Sequence, residues 1–374
     1  AARGHIVRHV YCSSTETPRG NTERATAGSG EFSLQAINLG GVIPKRSYRK
    51  RIAMERRYSG LICAACDEFR PDAVLSADTP SIPQHRLVRR CRKRGVRHVF
   101  WVQDLFGVAA HKLLSRQVPV VGGIVGRYFM RLDRESARGS DAVVLITEDF
   151  LPLFREWRIP DERMHVIHNW SVLDELPLRP RDNAWSIEQG LGAGPRVMYT
   201  GTLAMKHNPA LLLELAKLLD QREAGEMIVL SVGQGIQWLR EAAAREGIRS
   251  LRCLPFQPFE RMADVLGSAD VLVAILEPDA GVFSVPSKVL SYMCAGRALL
   301  GAMPADNLAA RLIVENGAGL VTDPSDLAAF RAAAAALLDD PDSLPARGAS
   351  ARRYAEENFD ILRIADRFEA ILAG

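Results

Sequence analysis

The chain has 374 residues, 47% hydrophobic and 25% charged, with 48 Lys and Arg against 44 Asp and Glu for a formal charge of +4. That length exceeds one ordinary core, so two domains are expected; the composition is that of a soluble globular protein, and the net charge is too small to name a partner. No stretch is long and apolar enough to span a bilayer, since the nearest, residues 118–126, holds three glycines and stops at Arg127.

In chain order, Ala1-Ala2-Arg3-Gly4-His5 followed by Ile6–Tyr11 reads as the end of a helix, a glycine stop and a strand. An α/β domain normally has a strand before such a helix, so a first strand is expected to lie outside this numbering. After a polar, glycine-rich stretch from Thr15 to Gly30, charged helical segments alternate with strands at Ala73–Ser76, His98–Val102 and Ala142–Ile146. That alternation argues for a parallel sheet covered by helices. Val166–Trp170 is predicted as one more short strand, which sets a first domain at 1–175. The proline-bearing stretch 176–194 reads as a linker.

A second series covers 195–350, with strands at Arg196–Gly201, Met227–Val232, Leu251–Leu254, Asp270–Ile275 and Ala298–Gly301 and helices between them. The tail 351–374 is predicted as one amphipathic helix, Arg352–Leu372, packing back towards the first domain. The expected class is therefore α/β, with two Rossmann-like domains in tandem. Open α/β sheets bind ligands beyond the carboxyl ends of their strands, so two such domains facing each other would hold a substrate in the cleft.

Three strand exits in the second domain carry chemistry: 199–208, with Gly201, Thr202, Lys206 and His207; 232–235, with Gly233; and 277–288, ending in Pro286-Ser287-Lys288. Pro286 is expected to open a helix, because proline fits the first turn, where its missing N–H is not needed. Free backbone N–H groups at glycine turns and at that helix start, with the two lysines, describe a diphosphate seat. Taken alone, Lys288 reads first as a surface lysine on an amphipathic helix.

These residues resemble the nucleotide-sugar-binding domain of family-4 glycosyltransferases, retaining enzymes of GT-B fold. Tyr-Thr-Gly-Thr (199–202) with Lys-His-Asn (206–208), and Val-Pro-Ser-Lys (285–288) with Ser-Tyr-Met (291–293), are similar to the branch that builds bacterial surface polysaccharides, such as colanic-acid or O-antigen fucosyl- and N-acetylfucosaminyltransferases. The first half is similar too, at Phe-Trp-Val-Gln-Asp-Leu (100–105), 141–148 and Val-Ile-His-Asn-Trp (166–170). The resemblance implies that Lys206 and Lys288 neutralise the leaving diphosphate, that the amides of Gly281, Val282 and Phe283 approach the donor sugar, and that Pro255–Pro258, including Phe256 and Gln257, holds the base. Where many relatives carry two glutamates spaced eight apart this chain has Phe283 and Ser291, and Thr202 stands where many have arginine. Sugar transfer of this kind needs no cofactor and no metal, because preorganised N–H groups and lysines can stabilise the departing diphosphate.

On the acceptor side, Gln103 and Asp104 end a strand of the first domain. Asp104 is a candidate general base or acceptor-hydroxyl ligand, or equally a helix N-cap. His168 is an acceptor-side candidate, or a hinge histidine. Residues 45–57 hold seven positive side chains against Glu55, and 86–97 hold Arg86, Arg89, Arg90, Arg92, Lys93, Arg94 and Arg97 with no acid. Two such runs in one domain point to an anionic membrane surface or a polyanion; nucleic acid is disfavoured because no reading motif accompanies them. With the resemblance they imply a lipid-linked saccharide acceptor at the inner face of the plasma membrane, touched by residues 118–130. The six cysteines (12, 63, 66, 91, 253, 294) suit a reducing cytoplasm, and Cys63-Ala-Ala-Cys66 reads as helix packing. Competing readings are a non-catalytic nucleotide-sugar or polyanion binder of the same shape and a nucleotide-sugar epimerase; a dehydrogenase is disfavoured because no Gly-x-Gly-x-x-Gly follows a strand.

Overall fold

The computed structural model of the protein describes residues 1–15, 31–44, 47–117, 119–278 and 285–374. The chain divides into two compact units, Ala1–Ile167 with Arg367–Gly374, and His168–Asp366. Each is a parallel α/β structure.

In the first unit β1 (Val7–Cys12) pairs in parallel with β2 (Phe32–Ile37), a strand that the sequence reading does not anticipate. After α1 (Tyr48–Phe69) come β3 (Ala73–Ala77), α2 (Ser81–Arg94), β4 (Arg97–Val102), α3 (Phe106–Gln117), α4 (Pro119–Gly139), β5 (Ala142–Leu145), the short α5 (Leu151–Glu156) and β6 (Met164–Val166). The strands β3-β4-β5-β6 form one parallel sheet in that order. The predicted strand Val166–Trp170 is corrected: β6 ends at Val166, and the second unit begins two residues later.

The α3–α4 pair owes its closeness to two glycines. A Cβ at Gly122 would lie 2.0 Å from the Leu114 carbonyl oxygen, and one at Gly126 2.4 Å from the His111 Cα. No side chain fits at those two positions of α4, and part of the helix's apolar surface lies on the other side. Val120, Val121, Ile124 and Tyr128 are all at least half exposed.

The second unit opens with α6 (Ala184–Glu188), then β7 (Arg196–Thr200), α7 (Ala210–Gln221), β8 (Glu226–Leu230), α8 (Gln234–Glu246), β9 (Leu251–Leu254), α9 (Met262–Gly267), β10 (Val271–Ile275), α10 (Ser287–Ala295), β11 (Ala298–Ala302), α11 (Leu308–Glu315), β12 (Gly319–Thr322), α12 (Leu327–Asp339), α13 (Leu344–Asn358) and α14 (Ile361–Ala373). Its six parallel strands lie in the order β12-β11-β10-β7-β8-β9, the doubly wound arrangement in which growth of the sheet reverses between β7 and β10. β7, β10 and β11 are buried along their whole length, as strands covered on both faces must be, and apolar clusters fill the space on either side.

Two expectations are corrected here. The stretch 176–194 is part of the second unit: Asn183 and Ser186 cap α6 reciprocally, Arg181 pairs with Asp270, and Trp185 is fully buried, its indole N–H donating to Gln257 Oε1 at 3.1 Å. Arg352–Leu372 is two helices, because buried Phe359 ends α13 and the Asp360 carboxylate accepts from the N–H groups of Leu362 and Arg363 to start α14. The end of α14 belongs to the first unit, where Phe368 packs on Trp101 with ring centroids 4.9 Å apart.

If 176–194 were a tether, truncating its tryptophan would cost little. The burial of Trp185 predicts instead that Trp185→Ala lowers the unfolding free energy by about 3–5 kcal/mol, measured by urea denaturation; a loss below about 1 kcal/mol would place this segment outside the core.

Candidate functional site

At the reversal point, β7 and β10 pair only at Val271↔Val197 and Leu272↔Met198, and then diverge. The backbone of Thr200 would be left without a partner on that side. Tyr292, from the second turn of α10, supplies one: Thr200 N–H donates to its hydroxyl at 3.0 Å, and the hydroxyl also lies 3.1 Å from Thr200 Oγ1 and 3.3 Å from Thr200 O. The ring is buried, which with the neighbouring apolar core pushes the phenol up to about 12 and keeps it a neutral hydrogen-bonding group. This bond ties α10 to the end of β7.

That tie sets Lys288 over the crevice. α10 starts at Ser287, so Pro286 is its N-cap, with extended backbone, and not its first helical residue as expected from sequence; Lys288 is the second residue of the helix. Its Nζ sits 3.8 Å from the centroid of the Tyr199 ring, a cation–π distance. A Cβ at Gly201 would approach the same Nζ to 3.2 Å, and Gly201 has φ +123°, so only glycine suits this turn. Burial pushes the Lys288 ammonium down to about 7, with no carboxylate contributing to the shift. The site thus holds a cation close to losing its proton.

The adjacent exits complete the rim. The N–H of Leu203 donates to Val232 O, and that of Gly235 to Leu203 O, lacing the first loop to the second. Gly233 caps α8 with φ +113°, and a Cβ there would stand 2.9 Å from Leu203 O and 3.8 Å from the Thr202 side chain. Thr202 is exposed, and its carbonyl accepts from the Tyr199 hydroxyl at 3.1 Å. Lys206 lies in the single 3-10 turn Met205–His207, whose His207 Nδ1 accepts from Ala204 N–H and whose Nε2 stands 3.8 Å from Glu277 Oε1, beyond β10. Phe256, beyond β9, is exposed, whereas Gln257 is occupied with Trp185. Ser291 hydrogen-bonds the Ser171 hydroxyl at 3.0 Å. Gly281, Val282 and Phe283 lie outside the described residues.

The architecture and the sequence agree with known proteins. A glycosyl transferase 4-like domain matches residues 1–170, and a glycosyl transferases group 1 domain matches residues 194–340. The chain is a glycosyltransferase of GT-B fold. Among solved structures, Anabaena HepE in complex with UDP superposes with TM-score 0.68 at 13% identity, over 91% of this chain and 86% of that one. Sucrose-phosphate synthase from Thermosynechococcus elongatus gives 0.69 at 13%, over 90% and 83%. A trehalose-6-phosphate protein from E. coli bound with UDP-2-fluoro glucose gives 0.67 at 15%, over 98% and 92%. No curated protein sequence matches the chain.

In the first unit of the transferase, Gln103 and Asp104 directly follow β4 and are half-buried. Burial raises the Asp104 carboxyl, and the negative charge of Asp78, beyond neighbouring β3, raises it further. Asp78 was not anticipated; its left-handed φ of +48° is one that aspartate tolerates. The loop is anchored by buried Asp133, whose Oδ2 accepts from Gly107 N–H at 2.7 Å. Among the described residues no cluster of His, Cys, Asp and Glu is fit to hold a metal. His168 is half-buried at the first position of the second unit. Tyr199 and Tyr292, the two groups that place Lys288, look in the sequence like ordinary core aromatics.

A bound diphosphate favours charged Lys288 and so raises its pKa, which means that binding takes up a proton above pH 7. Affinity for a nucleotide sugar is expected to hold steady just below pH 7 and to fall above it by up to about tenfold per pH unit, by isothermal titration calorimetry; the slope disappears in Lys288→Ala, and an unchanged slope there assigns it to another group. Tyr292→Phe leaves the buried Thr200 N–H without an acceptor and is expected to cost about 1–3 kcal/mol of stability in urea denaturation, whereas an unaffected midpoint would mean the strands close up unaided.

Proposed function

We propose that the enzyme is a retaining, metal-independent transferase that moves a sugar from a nucleotide-diphosphate donor to a lipid-linked saccharide acceptor at an anionic membrane surface, in bacterial surface-polysaccharide synthesis. The observation that carries the donor half is Lys288, held by Tyr199 and Tyr292 at the reversal point of the sheet, where doubly wound folds bind phosphates. The UDP and UDP-glucose complexes of HepE support a uridine nucleotide sugar as the first donor to try. The retaining outcome, the independence from metal and the polysaccharide role follow the family-4 likeness of the motifs.

In this reading the bond from the anomeric carbon to the diphosphate oxygen breaks with its electron pair leaving on oxygen, and the acceptor hydroxyl forms the new bond on the same face. The acceptor proton passes to the departing diphosphate. Charge therefore grows on the diphosphate as the sugar becomes cationic, and a lysine that gains charge affinity as the leaving group becomes more negative stabilises that state more than the ground state. Lys206 and the Gly201 and Gly233 turns are assigned to the same diphosphate, Phe256 to the base and Ser291 to the ribose. Asp104, raised by burial and by Asp78, is assigned to the acceptor hydroxyl.

The acceptor half rests on the first unit. No helix among the described residues is long and apolar enough to cross a membrane. The outward apolar side chains of α4, beside the basic α2, suit contact with an anionic bilayer surface.

Lys288→Ala is expected to lower kcat/KM for sugar transfer from UDP-sugar to a lipid extract by about 10²–10³-fold, with the product keeping the donor's anomeric configuration by NMR and with activity undiminished by EDTA. Inversion of configuration or loss of activity on chelation sinks the mechanism. Conversion of free nucleotide sugar without acceptor would instead mark an epimerase.

A further inference from the structure

Between α2 and α4 lies a groove of about 420 Å³ lined by Ile82, His85, Arg86, Arg89, Tyr128 and Leu132. Arg86 and Arg89 are exposed and make no ion pair among the described residues, unlike Arg90 and Arg94 of the same helix, which pair with Asp67 of α1. His85 Nδ1 is buried in the groove wall without a hydrogen-bond partner. The nearby carboxylate, Glu135, is already engaged: it accepts from Arg131 Nε at 2.7 Å and stands 3.7 Å from His85 Nε2. The groove therefore presents two guanidinium groups that no carboxylate pairs among the described residues, beside the apolar Ile82 and Leu132. That set is complementary to a phosphate attached to an apolar group, since guanidinium forks match phosphate oxygens and the apolar pair offers them no competing acid.

Tyr128 joins this groove to the outward face of α4. Val120, Val121, Ile124, Arg127, Tyr128 and Arg131 share one side of that helix at helical spacing, opposite the glycines that press on α3. An apolar stripe with arginines at its margin and a tyrosine at its edge is the pattern of a helix lying in a bilayer interface, and it places the groove at headgroup level.

We propose that the α2–α4 groove seats the phosphate headgroup of a membrane lipid, held by Arg86 and Arg89, while Val120, Val121 and Ile124 enter the interface beside it. The proposal rests on the reading that the enzyme docks on an anionic membrane, and names the headgroup chemistry that docking selects. Selection is by phosphate geometry as well as by charge, so an accessible terminal phosphate is bound better than a phosphodiester of the same surface potential.

The test compares phosphatidylcholine vesicles containing phosphatidic acid with ones containing phosphatidylglycerol at the same measured zeta potential, by co-sedimentation, and adds titration of water-soluble geranyl phosphate followed by NMR. Wild type is expected to prefer the phosphatidic acid vesicles by roughly tenfold. Arg86→Gln with Arg89→Gln is expected to remove that preference and the geranyl phosphate binding, at unchanged Tm. Val121→Asp with Ile124→Asp is expected to weaken binding to both vesicles and to leave geranyl phosphate binding intact. If the arginine variant loses both vesicles equally and wild type does not bind geranyl phosphate, the arginines act through bulk charge and the groove proposal falls while membrane docking stands. Inorganic phosphate binding as tightly as geranyl phosphate makes this a free-anion site and overturns the lipid assignment. Vesicle binding unaffected by the aspartates, with geranyl phosphate still bound through the arginines, supports the groove and overturns the docking reading alone.

Discussion

A doubly wound sheet must open where its growth reverses, because the two strands that flank the reversal send their connections to opposite faces. In this enzyme those strands are β7 and β10, and they separate after two paired positions. The opening would expose buried backbone groups at Thr200, whose cost is comparable to that of the hydrogen bonds the sheet gains elsewhere. The Tyr292 hydroxyl answers that demand, and in doing so fixes the start of α10 against the end of β7. A requirement of the backbone thereby sets the position of the charged side chain.

From that tie the remaining features of the candidate site follow in order. Lys288, four residues before Tyr292, shares its face of the helix and is carried onto the Tyr199 ring. Room for the ammonium exists because residue 201 has no side chain, and the turn that leaves β7 there has a left-handed backbone. Tyr199 also bonds the carbonyl of Thr202, so ring, turn and lysine form one unit. Burying an ammonium without a carboxylate is costly, and the protein meets that cost by lowering the group's proton affinity instead of pairing it. A carboxylate partner would have held the lysine in its charged form and neutralised it.

Sequence made the second unit legible because parallel strands buried on both faces are continuous apolar runs, and because its strand exits hold glycines and lysines in a recognisable order. It did not disclose what Tyr292 does, since a buried tyrosine in an amphipathic helix looks like any other core aromatic. Trp185 was hidden by its neighbours: the prolines and arginines of 176–194 signal a linker, while the tryptophan and the Asn183 cap that bury it are only two residues in that composition. β2 was missed because Phe32–Ile37 carries Ser33 and Gln35 and follows a glycine-rich stretch. Asp78 escaped notice because its relation to Asp104 passes through strand pairing, in which Ala77 lies beside Trp101, and not through spacing along the chain.

The α3–α4 hairpin shows how a sequence signal can be read at two levels. The glycines of 118–126 argue against a spanning helix, and two of the same glycines, Gly122 and Gly126, meet α3. An amphipathic helix normally buries its large apolar side chains and exposes small or polar ones. Here the close approach of α3 leaves no room for a side chain at Gly122 and Gly126, while Val120, Val121 and Ile124 on the opposite side of the same turns face outward. Replacing the outward residues with polar ones would leave the α3 contact unchanged, so packing against α3 gives no reason for them to be apolar. A basic helix lies alongside, whose Arg86, Arg89 and Arg92 make no ion pair among the described residues, so the surface is cationic as well as apolar.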